Sequence, residues 1–259
     1  MKAKKSYGQH FLINESIAAK IGSSLLIDSA NHKVLEIGPG KGVLTKYLLT
    51  KNYRLKVVEA DMDMVNYLKK HYTDLHEDII FLDFLKLSLE KVFDGEPFSI
   101  IGNYPYNISS QILIKMVNHH EFVPEMVGMF QKEVADRVVA PPGSKTYGVI
   151  SVLVQAFYEG EMLFYVGPEN FNPPPKVNSA VIRLTRKKDT NLGCNERLFR
   201  HMVKTAFNQR RKMLRNTLKP LVEDNNILSQ PFFEQRPEQL SVDDFVYIVK
   251  TLEPFLKIK

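Results

Sequence analysis

Strand-like and helix-like segments alternate between residue 33 and about residue 185. KVLEIG, RLKVVEA, IIFLD and FSIIGN are short and apolar, as buried strands are, and EMVGMF and NSAVIRLTR have the same character. The spacing of apolar residues in GVLTKYLLTK, MDMVNYLKKHY and ISSQILIKMVNHH instead indicates helices. This alternation predicts an α/β fold with a doubly wound parallel sheet, in which ligands bind at the carboxyl ends of the strands.

The pattern changes after about residue 186. NERLFRHMVKTAFNQRRKMLRNTLK and SVDDFVYIVKTLEPFL have helical spacing, no strand-like segment accompanies them, and KKDTNLGCN has the character of a linker. The sequence therefore predicts an α/β domain over residues 1–186 and a small all-helical domain over residues 187–259. A chain of 259 residues with 44% apolar composition is long enough to give each domain a core.

Positive charge is concentrated at the junction of the two predicted domains. The chain has a net charge of +6, yet the segment 183–219 alone holds 12 Lys/Arg and 2 Asp/Glu, a net +10. Clustered Lys and Arg displace counterions from phosphates, so the segment indicates a nucleic-acid surface. A solvated helix face is the simpler alternative for any single run of charges.

Other features limit the class of protein. No apolar run reaches the roughly 18 residues that a membrane-spanning helix needs, and the apolar stretch at the N-terminus is too short for a secretory signal. The single cysteine, Cys194, excludes an internal disulfide framework or a cysteine-cluster zinc site. These features predict a cytoplasmic protein with no membrane partner.

A glycine-rich turn, EIGPGKG, follows the first predicted strand. Gly38 and its neighbours permit unusual backbone dihedrals and let a ligand approach the backbone closely. Glu59 ends the next strand, where a carboxylate can accept hydrogen bonds from both hydroxyls of an adenosine ribose. A nicotinamide enzyme uses the same geometry, but the G-x-G-x-G spacing and the acidic Glu36, which can face a cationic amino-acid group, favour S-adenosylmethionine.

Asp83 ends the third predicted strand, in FLDFL. Its carboxylate can accept a hydrogen bond from the adenine amino group of the cofactor, while Phe84 or a neighbour packs against the ring. A helix N-cap is the alternative for an aspartate at this place.

The stretch NYPY follows the fourth predicted strand. An exocyclic adenine amine is a poor nucleophile because its lone pair is delocalised into the ring. Two acceptors aimed at its hydrogens, the Asn103 side chain and the carbonyl of Tyr104, favour a pyramidal nitrogen. Tyr106 offers a stacking face for an extruded base, and Phe171 can form the opposite wall of the base pocket. A turn with a buried tyrosine pair is the alternative for NYPY.

With these motifs in order, the chain resembles the ribosomal RNA adenine dimethyltransferases. The eight segments that carry the resemblance are KKSYGQHFL, EIGPGKGVLT, VVEAD, FLDFL, NYPYNIS, FQKEVADRVVA, FNPPPKVNSAVIRL and AFNQRRKMLRNTL. The last two are similar to the branch that dimethylates two adjacent adenines near the 3′ end of small-subunit (16S) rRNA. The resemblance implies a Rossmann-like S-adenosylmethionine-dependent methyltransferase fold without a metal. It also implies action on rRNA within a pre-ribosomal 30S particle. A monomer is predicted, because no extra apolar helix face in the sequence argues for a dimer.

The resemblance also assigns residues. It implies that the N-terminal segment 1–14, with His10 and Leu12, closes over the cofactor, which is also contacted by Gly38, Glu59, Asp83 and Asn103. It implies rRNA phosphate contacts by Arg210, Arg211, Lys212 and Arg215. The chain departs from the family at His10, where Asn is usual, and at Tyr104, where Leu is usual.

Three alternatives remain at this point. The sister branch, which methylates an adenine of large-subunit (23S) rRNA and confers macrolide resistance, shares the glycine turn and a similar Asn-x-Pro-Tyr element. An assembly factor that acts mainly by binding pre-ribosomal particles is a second alternative. A DNA adenine methyltransferase is compatible with the Asn-x-Pro-Tyr chemistry, although the basic tail contains no recognisable base-reading module.

Overall fold

The computed structural model describes residues 10–26 and 31–257, and these form two compact units. The first unit comprises the described residues of Met1–Ala135 and Glu159–Arg186, and the second those of Asp136–Tyr158 and Lys187–Lys259. The predicted single boundary at residue 186 is thus wrong in one respect, because 136–158 groups with the C-terminal part. The physical reason is that a helix in this segment, Val149–Gln155, packs against the first helix of that part, Glu196–Phe207.

Nine strands and nine α-helices are found in the described residues. The strands are β1 (Phe11–Leu12), β2 (Lys33–Ile37), β3 (Arg54–Glu59), β4 (Ile79–Phe81), β5 (Ser99–Asn103), β6 (Glu125–Gln131), β7 (Tyr158–Val166), β8 (Phe171–Asn172) and β9 (Ser179–Arg186). The helices are α1 (Glu15–Gly22), α2 (Thr45–Leu49), α3 (Met62–His71), α4 (Ser109–Asn118), α5 (Lys132–Val139), α6 (Val149–Gln155), α7 (Glu196–Phe207), α8 (Leu214–Leu218) and α9 (Val242–Leu252). The predicted α/β class is confirmed.

A seven-stranded sheet in the order β4-β3-β2-β5-β6-β9-β7 forms the centre of the first unit. From β4 to β6 all neighbours are parallel, whereas β9 runs antiparallel to β6. β2 pairs with β3 on one side and with β5 on the other, so the order of the strands reverses at β2. A crevice opens outside the carboxyl ends of the strands at such a reversal, and this places the ligand site beyond Ile37 and Asn103.

Burial explains which strands were predictable. β2, β5 and β6 are almost entirely buried, so they appear in the sequence as continuous apolar runs. The edge strand β7, in which only Tyr158 and Val166 are buried, was not predicted. Its apolar run is confined to residues 162–166, and the exposed residues Glu159, Gly160 and Glu161 interrupt the strand-like pattern in its first half.

The second unit is helical in its described residues, apart from an isolated bridge between Val222 and Leu256. The buried side of α7, formed by Phe199, Met202, Val203 and Ala206, faces the core of the unit, and α7 packs against α6, α8 and α9. The predicted continuous helix over 195–219 is interrupted. α7 ends at Phe207, a turn follows, and α8 begins only at Leu214, whose N–H donates to the carbonyl of Gln235.

Candidate active site

A cavity of about 560 Å³ lies at the carboxyl ends of the parallel strands in the first unit. This volume is within the range of roughly 300–1,000 Å³ that is usual for small-molecule sites. Eight of the predicted site residues line it, namely His10, Leu12, Gly38, Glu59, Asp83, Asn103, Tyr104 and Tyr106. The fold thus brings the predicted cofactor and catalytic residues together from five separate segments of the chain.

The glycine turn forms one wall of the cavity. Gly40 has a φ of 56°, in the left-handed region that L side chains rarely adopt. A Cβ atom built on Gly40 would lie 3.2 Å from the ring of Phe11, which packs over the turn. Glycine is therefore required here both for the backbone conformation and for the close approach of the N-terminal strand.

The carboxylate of Glu59 is held by backbone N–H groups at the end of β3. One oxygen accepts from Ala60 (2.8 Å) and Asp61 (2.9 Å), and the other accepts from Gly40 (3.1 Å). Burial raises the pKa of Glu59, and the three backbone hydrogen bonds oppose that rise. A carboxylate offers about four acceptor positions, so the oxygen bonded to Gly40 retains capacity for a ligand hydroxyl.

Glu36 is fully buried in the strand before the glycine turn and also lines the cavity. Its carboxyl accepts a hydrogen bond from the hydroxyl of Thr45 at 2.7 Å. Burial raises the pKa of Glu36 to about 8; the Thr45 bond lowers it, and the charge of Glu59 raises it further. A cationic ligand group at this wall would favour the ionised form, so the site suits a ligand that carries an ammonium group.

Asp83 lines the cavity and also caps a short 3₁₀ turn, accepting from the N–H of Leu85 at 2.9 Å. Asp83 therefore has both positions considered from the sequence, because it caps a turn and also lines the cavity. The predicted ring-packing residue, Phe84, lines the cavity but is only 3% exposed, whereas its neighbours Phe81 and Leu82 line the cavity with 50% and 37% of their surface exposed. Exposed apolar side chains in a cavity wall are suited to packing against a flat ring. In the sequence, Phe81 and Leu82 are distinguished only by their position at the end of a predicted strand.

Asn103 ends β5 with its side-chain amide oriented by the N-terminal segment. Its Nδ2 donates to the carbonyl of His10 at 3.2 Å, while its Oδ1 accepts no hydrogen bond from any residue in the described part of the chain. Because the nitrogen is committed to His10, the oxygen is the free acceptor of this amide in the cavity wall.

The ring of Tyr104 is buried in the core and is not available to a ligand. Its hydroxyl donates to the carbonyl of Val127 at 3.1 Å, and the ring packs on Phe130 at 4.8 Å between centroids. Gly128 makes this possible, because a Cβ there would lie 1.8 Å from the ring. Only the backbone of Tyr104 is left to act in the cavity.

Tyr106 is half-buried, and its hydroxyl is hydrogen-bonded to the hydroxyl of Ser179. Phe171, the predicted opposite wall, is only 3% exposed, packs in the hydrophobic core with Leu12, and is not among the lining residues. The structure thus does not bring Phe171 to the cavity. The aromatic ring that faces Tyr106 is instead that of His10, at 5.4 Å between centroids and an interplanar angle of 29°.

The described end of the predicted closing segment forms a strap across the site. β1 pairs antiparallel with β8, with Phe11 opposite Asn172 and Leu12 opposite Phe171. The N–H of Ile13 extends the pairing to the carbonyl of Asn170 at 2.9 Å. Residues 1–9 of the predicted segment lie outside the described residues.

The four predicted RNA-binding residues lie in the second unit but differ in their partners. Arg210 donates to the carbonyl of Ser144 (3.3 Å) and lies 4.0 Å from Glu238, and Arg215 pairs with Glu234 at 3.0 Å. Arg211 and Lys212 are exposed and form no ion pair with any residue that the structure describes.

The outward side of α7 carries two further cationic residues, Arg197 and Lys204, that were not singled out from the sequence. Both are exposed, and the exposed His201 lies between them at intervals of four and three residues, so the three lie on one side of the helix. This spacing of charged residues can be seen in the sequence and would have indicated a cationic side of the helix.

Neither a membrane helix nor a metal cluster is found where the structure can be described. Across residues 10–26 and 31–257, no helix has the length and apolar character needed to cross a membrane. The same residues contain no group of three or more His, Cys, Asp or Glu side chains placed to hold a metal ion. Chemistry without a metal remains a prediction.

Comparison with known proteins identifies the family. The family model described as "Ribosomal RNA adenine dimethylase" matches residues 1–253 of this chain. The chain belongs to the ribosomal RNA adenine dimethylase family. The predicted resemblance is confirmed over nearly the whole chain.

Relatives within the family are similar along their full length. The "Ribosomal RNA small subunit methyltransferase A" of Phocaeicola vulgatus is 53% identical over 260 residues, which cover all of this chain and 92% of that protein. The protein of the same name from Flavobacterium johnsoniae is 51% identical, with 98% and 97% covered.

Solved structures agree with the fold. A dimethyladenosine transferase from Plasmodium falciparum superposes with a TM-score of 0.80 at 26% identity, covering 96% of this chain and all of that one. The 23S rRNA methyltransferase ErmE superposes with a TM-score of 0.69 at 22% identity, covering 94% and 99%, and shows the fold alone. The predicted methyltransferase fold is thereby confirmed.

Proposed function

We propose that this family member transfers methyl groups from S-adenosylmethionine to the N6 amines of two adjacent adenines near the 3′ end of small-subunit rRNA, twice each. The substrate is the rRNA within a pre-ribosomal 30S particle, and the enzyme acts in the cytoplasm as a monomer. The names of the relatives favour the small subunit. The likeness to the 23S enzyme is too distant to indicate a substrate.

The observation that carries this proposal is the orientation of Asn103. A hydrogen bond from its Nδ2 to the His10 carbonyl leaves the side-chain oxygen as acceptor, next to the backbone of Tyr104 in the same wall. Two acceptors at this place bind the two hydrogens of an adenine amine and localise its lone pair on nitrogen. No strong base is needed, because the proton is lost only after nitrogen has gained the methyl group and become cationic.

The other residues of the cavity supply binding and orientation. When bound, S-adenosylmethionine supplies an activated methyl group on a sulfonium. Glu59 accepts from a ribose hydroxyl, Asp83 accepts from the adenine amine of the cofactor, Phe81 and Leu82 pack against its ring, and Glu36 faces its ammonium group. Leu12 and Gly38 complete the cofactor wall, and Tyr106 stacks on the target base. Holding the target amine in line with the methyl group would supply the remaining part of the catalysis.

RNA binding is proposed for the cationic groups of the second unit. Arg211 and Lys212 have no acidic partner among the described residues, so their charges are available to phosphates, and Arg197 and Lys204 on α7 extend the same kind of surface. Arg210 and Arg215 must first give up or share the partners described above. We therefore expect them to contribute less to RNA binding than Arg211 and Lys212.

The activity is tested by incubating the protein and labelled S-adenosylmethionine with methyl-deficient small or large subunits and mapping the labelled nucleotides. We expect dimethylation of two adjacent adenines near the 3′ end of the small-subunit rRNA. Label confined to the large subunit would instead support the macrolide-resistance type of enzyme. Asn103→Ala distinguishes the enzyme from the assembly-factor alternative. If this variant fails to transfer methyl groups but still binds pre-ribosomal particles and restores growth, the assembly-factor alternative is favoured.

RNA binding is tested with the double variant Arg211→Ala/Lys212→Ala. Each phosphate contact that is lost should lower the slope of log affinity against log salt by about 0.7–0.9, and cofactor affinity should be unchanged. Lys250→Ala/Lys257→Ala is the matched control, because it removes the same charge from exposed sites of the same unit. An equal loss of slope in the control would mean that net charge alone, and not this surface, binds the RNA.

A further inference from the structure

His10 connects the N-terminal strap to the residues proposed to hold the target base. Its imidazole stacks on Tyr106, its Nδ1 is hydrogen-bonded to the carbonyl of Pro173 at 2.9 Å, and its own carbonyl accepts from Asn103 at 3.2 Å. These three partners come from two segments that are about 90 and 160 residues away in the sequence. A single residue is thus in contact with both groups proposed to grip the adenine.

The contacts of His10 are with Tyr106, Pro173 and Asn103. The residue was expected to contact the cofactor, yet among the described residues its ring and its hydrogen bonds involve none of Glu36, Glu59 or Asp83. The cofactor wall beneath the strap is instead covered by Phe11, whose ring lies against Gly40. The neighbouring residues His10 and Phe11 of the strap are therefore expected to have different roles.

We propose that His10 is a positioning residue for the target adenine. Its imidazole, clamped to the Pro173 carbonyl, holds the ring of Tyr106 in the plane on which the base stacks, and its main chain fixes the amide of Asn103. This proposal rests on the proposed function, and it assigns the His10 side chain to the base pocket and not to the cofactor.

The distance between the rings of His10 and Tyr106 determines how His10 can support the tyrosine. With ring centroids 5.4 Å apart, His10 and Tyr106 are in contact, and no base fits between them. The adenine must therefore stack on the face of Tyr106 that His10 leaves free, so His10 supports the tyrosine ring from behind. The hydroxyl of Tyr106, hydrogen-bonded to Ser179, fixes the other end of the same side chain.

The test uses His10→Ala, which removes the ring, and His10→Phe, which keeps a stacking ring without the hydrogen bond to Pro173. The expected loss in kcat for methyl transfer to rRNA is about 3- to 10-fold for His10→Ala, with cofactor Kd within about 2-fold of wild type. His10→Phe should recover most of the lost kcat. With 2-aminopurine in place of the target adenine, its stacking-dependent fluorescence should change in His10→Ala and return towards the wild-type value in His10→Phe.

The protein contains a matched control pair on its surface. His71 stacks on Tyr67 at 4.0 Å between centroids and bonds the Tyr67 carbonyl through Nδ1 at 2.8 Å, on α3 and outside the cavity lining. His71→Ala and His71→Phe remove and restore the same kind of stack. We expect neither to alter kcat, which separates the positioning effect from a general loss of stability.

Three results would overturn the proposal. If cofactor Kd rises in His10→Ala by as large a factor as kcat falls, the His10 side chain belongs to the cofactor site. Equal defects in His10→Ala and His10→Phe, or no defect in either, would show that stacking on Tyr106 does not matter. NMR of ring-labelled tyrosine in the RNA-free protein, where His10→Ala should shift the Tyr106 signals, tests the contact even if wild-type protein fails to methylate rRNA.

Discussion

The two sides of the cavity are built in different ways. The cofactor side, which is the part proposed to bind S-adenosylmethionine, is formed by Glu36, Gly38, Glu59 and Asp83. It consists of strand ends and the turns directly after them, and backbone N–H groups hold Glu59 and Asp83 in place. The base side, which is the part proposed to bind the target adenine, is formed by His10, Asn103, Tyr106 and Ser179 and is held by side-chain contacts between segments far apart in the sequence.

This difference has a consequence for substitutions. Groups fixed by neighbouring backbone keep their place when a remote residue changes, so damage on the cofactor side should appear in cofactor affinity. Groups fixed by remote side chains lose alignment when any one partner is removed, so damage on the base side should appear in kcat. The variants Asn103→Ala, Glu59→Gln, Ser179→Ala and Tyr106→Phe test this contrast.

The largest effect is expected for Asn103→Ala. Loss of an acceptor that acts on the developing charge should lower kcat for methyl transfer by roughly 100- to 1,000-fold. Cofactor Kd, measured by calorimetry, should change far less, although Asn103 is also expected near the cofactor. Asn66→Ala, an exposed asparagine on α3, is the control and should behave as wild type. A Kd loss as large as the kcat loss would remove the contrast between the two sides.

Glu59→Gln tests the cofactor side. A hydrogen bond to a charged acceptor contributes about 1.5–3 kcal/mol, so cofactor Kd should rise about 10- to 100-fold. Once cofactor is saturating, kcat should be close to that of wild type, because the base side is untouched. Transfer rates at increasing cofactor concentration separate the two quantities. A low kcat at saturation would contradict the assignment of Glu59 to binding.

Ser179→Ala and Tyr106→Phe remove the same hydrogen bond from its two ends. The net contribution of such a bond is about 0.5–1.5 kcal/mol, so each should lower kcat by about 2- to 10-fold. The double variant should be no worse than either single variant, because one interaction is lost in all three. Additive losses would show that Ser179 does not act through Tyr106.

The last prediction concerns the pH dependence of stability, a different quantity from kcat and cofactor Kd. The pKa of Glu36 is about 8 in the folded protein, above the ordinary value of 4.5, so the folded state binds more protons between these pH values. The contribution of Glu36 to stability is complete below about pH 4.5 and is lost as pH rises towards 8. Thermal unfolding of Glu36→Gln from pH 5 to pH 9 should therefore show a smaller decline of Tm than wild type. Parallel curves would contradict the raised pKa.

The sequence was most informative where the structure is local. The parallel strands β2, β5 and β6 were predictable because they are buried and apolar, and Gly38, Glu59 and Asp83 were predictable because each lies at or just after the end of a predicted strand. Tyr104 was expected to contribute only its backbone, and its ring is indeed buried. The break between α7 and α8 was not predictable from the local spacing of apolar residues; after it, the N–H of Leu214 at the start of α8 donates to Gln235, about 20 positions away.

The sequence by itself determined the class of sheet and indicated the strand-end residues that are proposed to bind the cofactor, because both follow from local patterns. The orientation of Asn103 depends instead on the carbonyl of the remote His10. Only the tertiary structure decided which ring faces Tyr106. Phe171 and His10 are both aromatic and both lie near the site in the fold. The pairing of β1 with β8 buries Phe171 in the core beside Leu12 and leaves His10, just before the strand, stacked on Tyr106. That outcome depends on the register of two strands about 160 residues apart, which no local pattern encodes.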